Sequence, residues 1–223
     1  MPERITYTTD DGVKIVGDWT AAPTMIGAVV FLHMMPANRS SWAGCVRSLT
    51  KRGIGALAID LRGHGESTVR DDGTKLDYRQ FTDDEHQSSI WDVSGAVDWL
   101  KGRGIPLDRI VLMGASIGAD LAIRELAEEP RMAGAVLLSP GIYRGMDASI
   151  DVKDLLPDHA LTVVVSEDDN ESYAISKKMY DGAPVIRKTL LPYQTAGHGT
   201  NILSADSGLV EKLAKWIESI IRE

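Results

Sequence analysis

Residues 110–126 read IVLMGASIGADLAIREL, and the pentapeptide GASIG in this segment decides how the chain is interpreted. An apolar run leads into the pentapeptide and helix-forming residues follow it at once, which predicts a strand, a tight turn and a helix. Glycines at 114 and 118 permit a turn so sharp that the hydroxyl of Ser116 projects beyond the strand, as in a nucleophile elbow. The N-terminus of the following helix would then point at this oxygen and stabilise negative charge there. The segment therefore predicts a nucleophilic Ser116.

Apolar runs recur along the chain at residues 28–33, 54–60, 109–115, 133–139 and 161–166, with a weaker run at 187–193. Continuous apolarity of this kind is typical of strands that are buried on both faces. Residues 83–101 and 204–222 place apolar side chains at helical spacing, with Thr82 and Ser204 as expected N-caps. Strands that alternate with helices predict an α/β fold, with a mainly parallel sheet of about eight strands flanked by helices on both faces.

The first twenty residues have a different pattern from the rest of the chain. The stretch RITYTTDDGVKIVGDWTAA predicts a hairpin that turns at Asp11-Gly12. We expect this hairpin to add antiparallel strands at one edge of the sheet.

Size, charge and cysteine content restrict the classes of function. The 223 residues, 43% of them hydrophobic, suffice for one sizeable core, so we expect a single domain spanning 1–223. The formal net charge of −8 would repel a nucleic acid. Cys45 is the only cysteine and forms neither an internal disulfide nor a thiolate metal site by itself. With no signal-peptide pattern and no membrane-length apolar stretch, a cytoplasmic protein without membrane contact is expected.

A serine nucleophile requires a base, and an acid that orients the base. In the fold to which such an elbow belongs, the chain order is serine, acid, histidine. Only His159 and His198 follow Ser116, and His159 precedes the strand at 161–166, which places it at the wrong end of that strand. His198, in the loop TAGHGTN, is therefore the predicted base.

The acid is expected on the loop that follows the strand at 161–166, which reads EDDNESY. Glu167, Asp168 and Asp169 all lie there. A carboxylate run after a strand is often only a solvated turn, so the residues alone leave the choice among the three open.

Taken together, these motifs resemble the α/β-hydrolase superfamily, in its compact serine-esterase and dienelactone-hydrolase-like branch. The resemblance runs through VVFLHMMPANRSSW, AIDLRGHGES, VLMGASIGADLA, VVVSEDDNES and YQTAGHG, and so covers nearly the whole chain. It implies that the acid is the fourth residue of a Gly-x-x-Asp turn, in which Ser166 replaces the glycine, so that Asp169 is favoured over Asp168. It also implies that His33 and His64 are structural.

The resemblance further implies an oxyanion hole formed by the backbone N–H groups of Ile117 and Met35. Relatives usually carry glycine after the histidine of this loop, where this chain carries Met34. The insertion at 141–160 is too short for a large cap domain. Met34, Ile142 and Tyr143 are the candidates to bind substrate.

The expected chemistry is hydrolysis of a small or short-chain carboxylic ester by Ser116, His198 and Asp169, through an acyl-enzyme. Neither a cofactor nor a metal is implied, and the partner is a small-molecule ester. A thioesterase, an amidase or peptidase, or a carbon–carbon hydrolase would use the same three residues, and a perhydrolase or haloperoxidase side activity is compatible with them. A non-catalytic binding protein of the same fold is the alternative of another class.

Overall fold

Residues 2–223 are described by the computed structural model as strands that alternate with helices. The strands are β1 (Glu3–Thr8), β2 (Val13–Thr20), β3 (Gly27–Leu32), β4 (Ile54–Ile59), β5 (Val69–Arg70), β6 (Ile110–Ala115), β7 (Gly134–Leu138), β8 (Ile142–Tyr143), β9 (Met146–Asp147), β10 (Ala160–Ser166) and β11 (Arg187–Tyr193). The helices are α1 (Ala43–Thr50), α2 (Asp83–Gln87), α3 (Ile90–Gly102), α4 (Ile117–Glu128), α5 (Ala148–Asp151), α6 (Asn170–Gly182), α7 (Ile202–Ala205) and α8 (Leu209–Arg222).

One large sheet has the strand order β1-β2-β4-β3-β6-β7-β10-β11, with β5 paired to β2 beside this path. Neighbouring strands from β4 to β11 are parallel. The β1-β2 hairpin is antiparallel and joins the sheet through an antiparallel β2-β4 pair. The mainly parallel sheet and the N-terminal hairpin that turns near Asp11-Gly12 are thus confirmed. The two-residue strand β5 escaped prediction because so short a pairing leaves no apolar run.

The two faces of the sheet carry separate apolar clusters. Along β3, Val30 and Leu32 join one cluster while Val29 and Phe31 join the other, because successive side chains of a strand point to opposite faces. Helices α3, α4 and α6 cover the first face, and helices α1 and α8 cover the second. Helices on both faces explain why the central strands are apolar throughout.

Two details of the predicted helices are wrong. Thr82 caps α2 in a reciprocal capping box with Glu85, but the segment 83–101 is not one helix, since α2 ends at Gln87 and α3 starts at Ile90. Ser204 lies inside α7 and caps nothing. The turn that precedes α8 is instead stabilised by Asp206, whose carboxylate accepts the N–H of Gly208, and α8 begins at the next residue.

The insertion after β7 is compact. Strands β8 and β9 form a two-stranded hairpin, and α5 with a short 3₁₀ turn leads back to β10. Within residues 2–223 no large cap domain covers the sheet, as the length of the insertion predicted.

Candidate active site

Five loops meet at one edge of the sheet, because parallel strands bring their carboxyl ends together. These loops follow β3, β6, β7, β10 and β11, and they carry Met34, Ser116, Ser139, Asp169 and His198 respectively. Three of the five were predicted as the catalytic residues, and they come from three different strands.

The backbone at Ser116 is strained. Its φ is 55° and its ψ is −125°, a region that residues other than glycine rarely adopt. The turn is possible only because its neighbours lack side chains: a Cβ on Gly118 would lie 2.4 Å from the carbonyl oxygen of Leu32, and one on Gly114 would lie 2.0 Å from that of Gly118. The predicted strand, sharp turn and helix are all present, and α4 begins at the next residue.

Ser116 is 8% exposed and lies at the N-terminus of α4. The N–H of Ile117 is in the first turn of this helix, where an N–H has no intrahelical acceptor. In the described part of the chain, neither this N–H nor that of Met35 donates a hydrogen bond. The β3-β6 pair ends at Leu32 and Gly114, so both groups lie three residues beyond the paired strands. An unpaired backbone donor that adjoins a buried serine, as that of Ile117 does, is what an oxyanion site requires.

His198 and Asp169 form a close pair. His198 Nδ1 lies 2.6 Å from Asp169 Oδ2, so the ring nitrogen donates to the carboxylate. This contact fixes the tautomer that leaves Nε2 as the basic nitrogen. Within residues 2–223 no hydrogen bond joins Ser116 Oγ to His198, so the contact between the predicted nucleophile and the predicted base stays a prediction.

Asp168 makes different contacts from Asp169. Its Oδ1 accepts the hydroxyl of Ser166 at 2.5 Å and the backbone N–H groups of Ala196 and Gly197 at 3.3 and 3.2 Å. The hydrogen bond from Ser166 is the main reason that the pKa of Asp168 is lowered. Asp168 therefore fastens the loop that carries the histidine, and only Asp169 contacts the imidazole.

Met34 and Met35 turn to different sides of the sheet. Met34 packs with the cluster under α1 and α8, and Met35 packs with the opposite cluster. The Met34 sulfur accepts the hydroxyl of Thr200 at 3.6 Å, and a Cβ on Gly199 would lie 2.6 Å from this sulfur. The thioether of Met34 thus contacts Thr200 and Gly199 of the loop that carries His198. The glycine that relatives usually carry at this position has no side chain to make these contacts.

Tyr143 and Ile142 flank a cavity of about 300 Å³, whose other lining residues are Gly141, Glu171, Ser172, Ala174 and Ile175. The Tyr143 ring meets the His198 ring edge to face at 6.0 Å. Its hydroxyl lies 2.7 Å from Ser172 Oγ and 3.1 Å from the carbonyl oxygen of Ser139, and burial raises its pKa to about 12. Tyr143 is therefore uncharged and packs beside the histidine, whereas Ile142 lies at the rim of the cavity and is 55% exposed.

The other histidines make structural contacts. His33 accepts the N–H of Leu61 at Nε2 and donates from Nδ1 to the carbonyl of Met34. His64 stacks on Tyr78 at 3.8 Å. His159 is buried and accepts the N–H of Leu156. His86 is buried as well and faces Phe81.

The turn after β4 braces this region through buried charges. Arg62 is 2% exposed and binds both Asp92 and Asp11. Asp60 binds Arg39 and accepts the N–H of Glu66. These pairs hold the loops after β3 and β4 together behind the candidate site.

Sequence reasoning missed two residues of the site. Ser139 accepts the N–H of Gly199 with its hydroxyl at 2.9 Å, directly beside His198. Asp120, one helical turn after Ser116, is fully buried and accepts the N–H of Gly141 at 3.1 Å, and burial raises its pKa well above the usual range. The only signal in the sequence that pointed to Ser139 was its place as a polar residue at the end of a buried strand. No feature of the sequence indicated that Asp120 belongs to the site.

Residues 2–223 contain no group of three or more histidine, cysteine, aspartate or glutamate side chains arranged to hold a metal ion. None of the helices in this range is both long enough and apolar enough to cross a membrane.

Known proteins resemble this chain in sequence. The sequence profile of the family described as serine aminopeptidase, S33 (Hydrolase_4), matches residues 23–157, a range that includes Ser116 but ends before Asp169 and His198. A bifunctional esterase/perhydrolase of Acinetobacter calcoaceticus is 32% identical over 135 residues, which are 59% of this chain and 43% of that protein. A non-heme chloroperoxidase of Kitasatospora aureofaciens is 38% identical over 78 residues, which are 34% of this chain and 26% of that protein. The matched segments thus span less than half of these relatives.

Solved structures share the whole fold. The Pyrococcus furiosus esterase Pf2001 superposes with a TM-score of 0.75 at 20% identity, over 100% of this chain and 90% of that one. A dienelactone hydrolase of Anabaena variabilis superposes with a TM-score of 0.71 at 18% identity, over 99% and 97% of the two chains. At such identities the likeness shows the fold alone, and it confirms the predicted α/β-hydrolase architecture.

Proposed function

The chain belongs to the Hydrolase_4 family of α/β-hydrolases, described as serine aminopeptidase, S33, and from this premise we propose that it is a serine carboxylesterase. It cleaves carboxylic esters of small or short-chain acyl groups (EC 3.1.1 class) through an acyl-enzyme intermediate. Residues 1–223 act as a single cytoplasmic domain in this proposal, without a cofactor.

In the proposed reaction His198 takes the proton of Ser116, whose oxygen attacks the ester carbonyl. Asp169 stabilises the imidazolium that forms, and the N–H groups of Ile117 and Met35 bind the oxyanion of the tetrahedral intermediate. His198 then protonates the leaving alcohol. Water, deprotonated by the same histidine, hydrolyses the acyl-enzyme and restores Ser116.

The observation that carries this proposal is the contact of 2.6 Å between His198 Nδ1 and Asp169 Oδ2, at the sheet edge where Ser116 adopts its strained φ of 55°. A strained backbone conformation lowers the stability of the folded protein, and a turn with a purely structural role could adopt an unstrained conformation instead. The free N–H groups of Met35 and Ile117 support the same chemistry.

The small insertion and the neighbouring cavity support small substrates. The cavity of about 300 Å³ beside Tyr143 is at the lower limit of sites for small molecules. Its lining is mainly apolar and includes Ile142 and Tyr143. These two residues, together with Met34, which lies outside this cavity, are the proposed substrate-binding residues. An uncovered site of this size favours soluble esters over aggregated lipid.

The direct test is hydrolysis of p-nitrophenyl butyrate by the protein, by its Ser116→Ala variant, and by Ser219→Ala, which changes an exposed serine of α8. We expect Ser116→Ala to lose about 10³-fold or more in kcat/KM and Ser219→Ala to lose nothing. Activity should fall from butyrate through hexanoate to dodecanoate. Equal activity of Ser116→Ala and the unmodified protein would contradict the proposal.

Hydrolysis of an amide bond is the second candidate, because the matching family is described as serine aminopeptidase. A butyrate ester, a butyrate thioester and a butyryl anilide with matched acyl groups separate these reactions. A kcat/KM for the anilide that exceeds that for the ester would favour the peptidase.

A further inference from the structure

Ser139 has an unusual backbone conformation. It follows β7, is fully buried, and adopts a φ of 50°, in the left-handed region that favours glycine. Its N–H donates to the carbonyl of Val164 at 2.8 Å, so the backbone continues the sheet into the turn. This backbone contact does not explain why the position carries a serine rather than a glycine, which would adopt the same φ without strain.

The side chain of Ser139 supplies the explanation. Its hydroxyl oxygen accepts the N–H of Gly199 at 2.9 Å, and Gly199 directly follows His198. On the other side of the histidine, Asp168 accepts the N–H groups of Ala196 and Gly197. The backbone is thus held on both sides of His198 by side chains from two other strand ends.

The main chain of Ser139 supports the imidazole as well. Its carbonyl oxygen accepts the hydroxyl of Tyr143 at 3.1 Å, and the ring of Tyr143 stands 6.0 Å from that of His198. A Cβ on Gly141 would lie 2.6 Å from the Tyr143 ring, so this glycine permits the tyrosine to fold inward. Ser139 therefore contacts both the loop that carries the histidine and the side chain that packs against it.

We propose that Ser139 is a positioning residue, whose hydroxyl sets the distance between the imidazole of His198 and Ser116 by fixing the backbone of Gly199. This inference rests on the proposed role of His198 as the general base. Displacements of a fraction of an ångström slow a proton transfer strongly, while they leave substrate binding largely intact. Loss of the hydroxyl should therefore lower the rate of the chemical step without a matching loss of affinity.

Two substitutions separate this role from a contribution to folding. Ser139→Ala and Ser139→Gly both remove the hydroxyl, but glycine adopts a positive φ without strain and alanine does not. We expect Ser139→Gly to unfold at a higher temperature than Ser139→Ala, and both variants to lose activity to the same extent. The matched control is Ser176→Ala, which removes another buried hydroxyl. This hydroxyl donates to the carbonyl of Pro140 at 3.3 Å, in the loop that carries Ser139, and makes no contact with the histidine loop within residues 2–223.

The measurement is the rate at which a fluorophosphonate labels Ser116, as a function of reagent concentration. This rate reports activation of the nucleophile whichever bond the enzyme cleaves. We expect the maximal labelling rate to fall about tenfold or more in both Ser139 variants, while the half-saturating concentration changes less than about threefold. Ser176→Ala should be labelled at the rate of the unmodified protein.

The outcomes are distinguishable. If the labelling rate follows thermal stability, so that Ser139→Gly is labelled at the rate of the unmodified protein, the role of Ser139 is structural and the inference is overturned. An equal fall of the labelling rate in Ser176→Ala would overturn it as well. If the unmodified protein resists labelling, the proposed function itself fails, and the role of Ser139 fails with it.

Discussion

Glu125 is a buried carboxyl group with no cationic partner among residues 2–223, and its replacement by glutamine should stabilise the protein in a pH-dependent manner. Its side chain lies on α4, 3% exposed, and the one hydrogen bond it makes in this part of the chain is accepted from the hydroxyl of Ser94 at 2.6 Å. Burial raises its pKa from 4.5 to about 7. The folded protein therefore binds this proton more tightly than the unfolded chain does.

The magnitude follows from the pKa difference. Because the pKa is higher in the folded state, the stability contributed by Glu125 is fully present below pH 4.5 and is lost as the pH rises towards 7. At about 1.36 kcal/mol for each pKa unit, the penalty at pH 8 is about 3 kcal/mol. At pH 5 it is below about 1 kcal/mol. Glu125→Gln has nearly the same shape and removes the ionisation.

The assay is urea unfolding of the protein, Glu125→Gln and Glu128→Gln at pH 5 and at pH 8. Glu128 is an exposed glutamate on the same helix and serves as the matched control. We expect Glu125→Gln to gain about 2 to 3 kcal/mol more at pH 8 than at pH 5, equivalent to about 4 to 12 °C in Tm. A gain that is independent of pH, or a loss of stability at pH 8, would refute the reasoning.

Three further changes test the site and its scaffold. Asp169→Asn should lower kcat/KM for p-nitrophenyl butyrate about 10³-fold or more, because the histidine loses its orienting carboxylate, and Asp168→Asn should cost less than about tenfold; the reverse order would assign the acid to Asp168. Gly118→Ala should lower the free energy of unfolding by about 2 kcal/mol or more in urea, because its Cβ would lie 2.4 Å from a main-chain carbonyl oxygen of β3. Gly102→Ala is the control, because a Cβ at this position of α3 would have no neighbour within 4 Å, and it should leave the free energy of unfolding unchanged or raise it. If both variants lose the same free energy of unfolding, the clash is not the cause. Burial lowers the pKa of His33 to about 4, so its stabilising contribution is present above pH 6.5 and is lost as the pH falls towards 4. Between pH 7 and pH 5 the stability difference between the protein and His33→Asn should shrink by about 2 kcal/mol, and a constant difference would contradict the shift.

Much of the fold could be predicted because its signals are local. A strand buried on both faces requires an apolar run, and the runs at 28–33, 54–60, 109–115, 133–139 and 161–166 each contain or overlap a central strand of the sheet. The hairpin turns near Gly12, which has a φ of 82°. The break between α2 and α3 was missed because residues 83–89 read DDEHQSS and hold no apolar side chain whose spacing could mark where a helix ends. In the structure Ser88 hydrogen-bonds back to the carbonyl of Asp84 and ends the first helix.

For the candidate site, too, the sequence predicted the features that depend on neighbouring residues, and the tertiary structure decided those that depend on contacts between distant residues. The sequence by itself determined the strand, turn and helix around Ser116, because two glycines and an apolar run act over neighbouring residues, and chain order selected His198. Only the tertiary structure distinguished the contacts of Asp168 from those of Asp169, since adjacent carboxylates of equal chemistry differ only in where their side chains point. It also decided the place of Ser139, because its contact with Gly199 joins residues that are distant in sequence and meet only through the pairing of β7, β10 and β11.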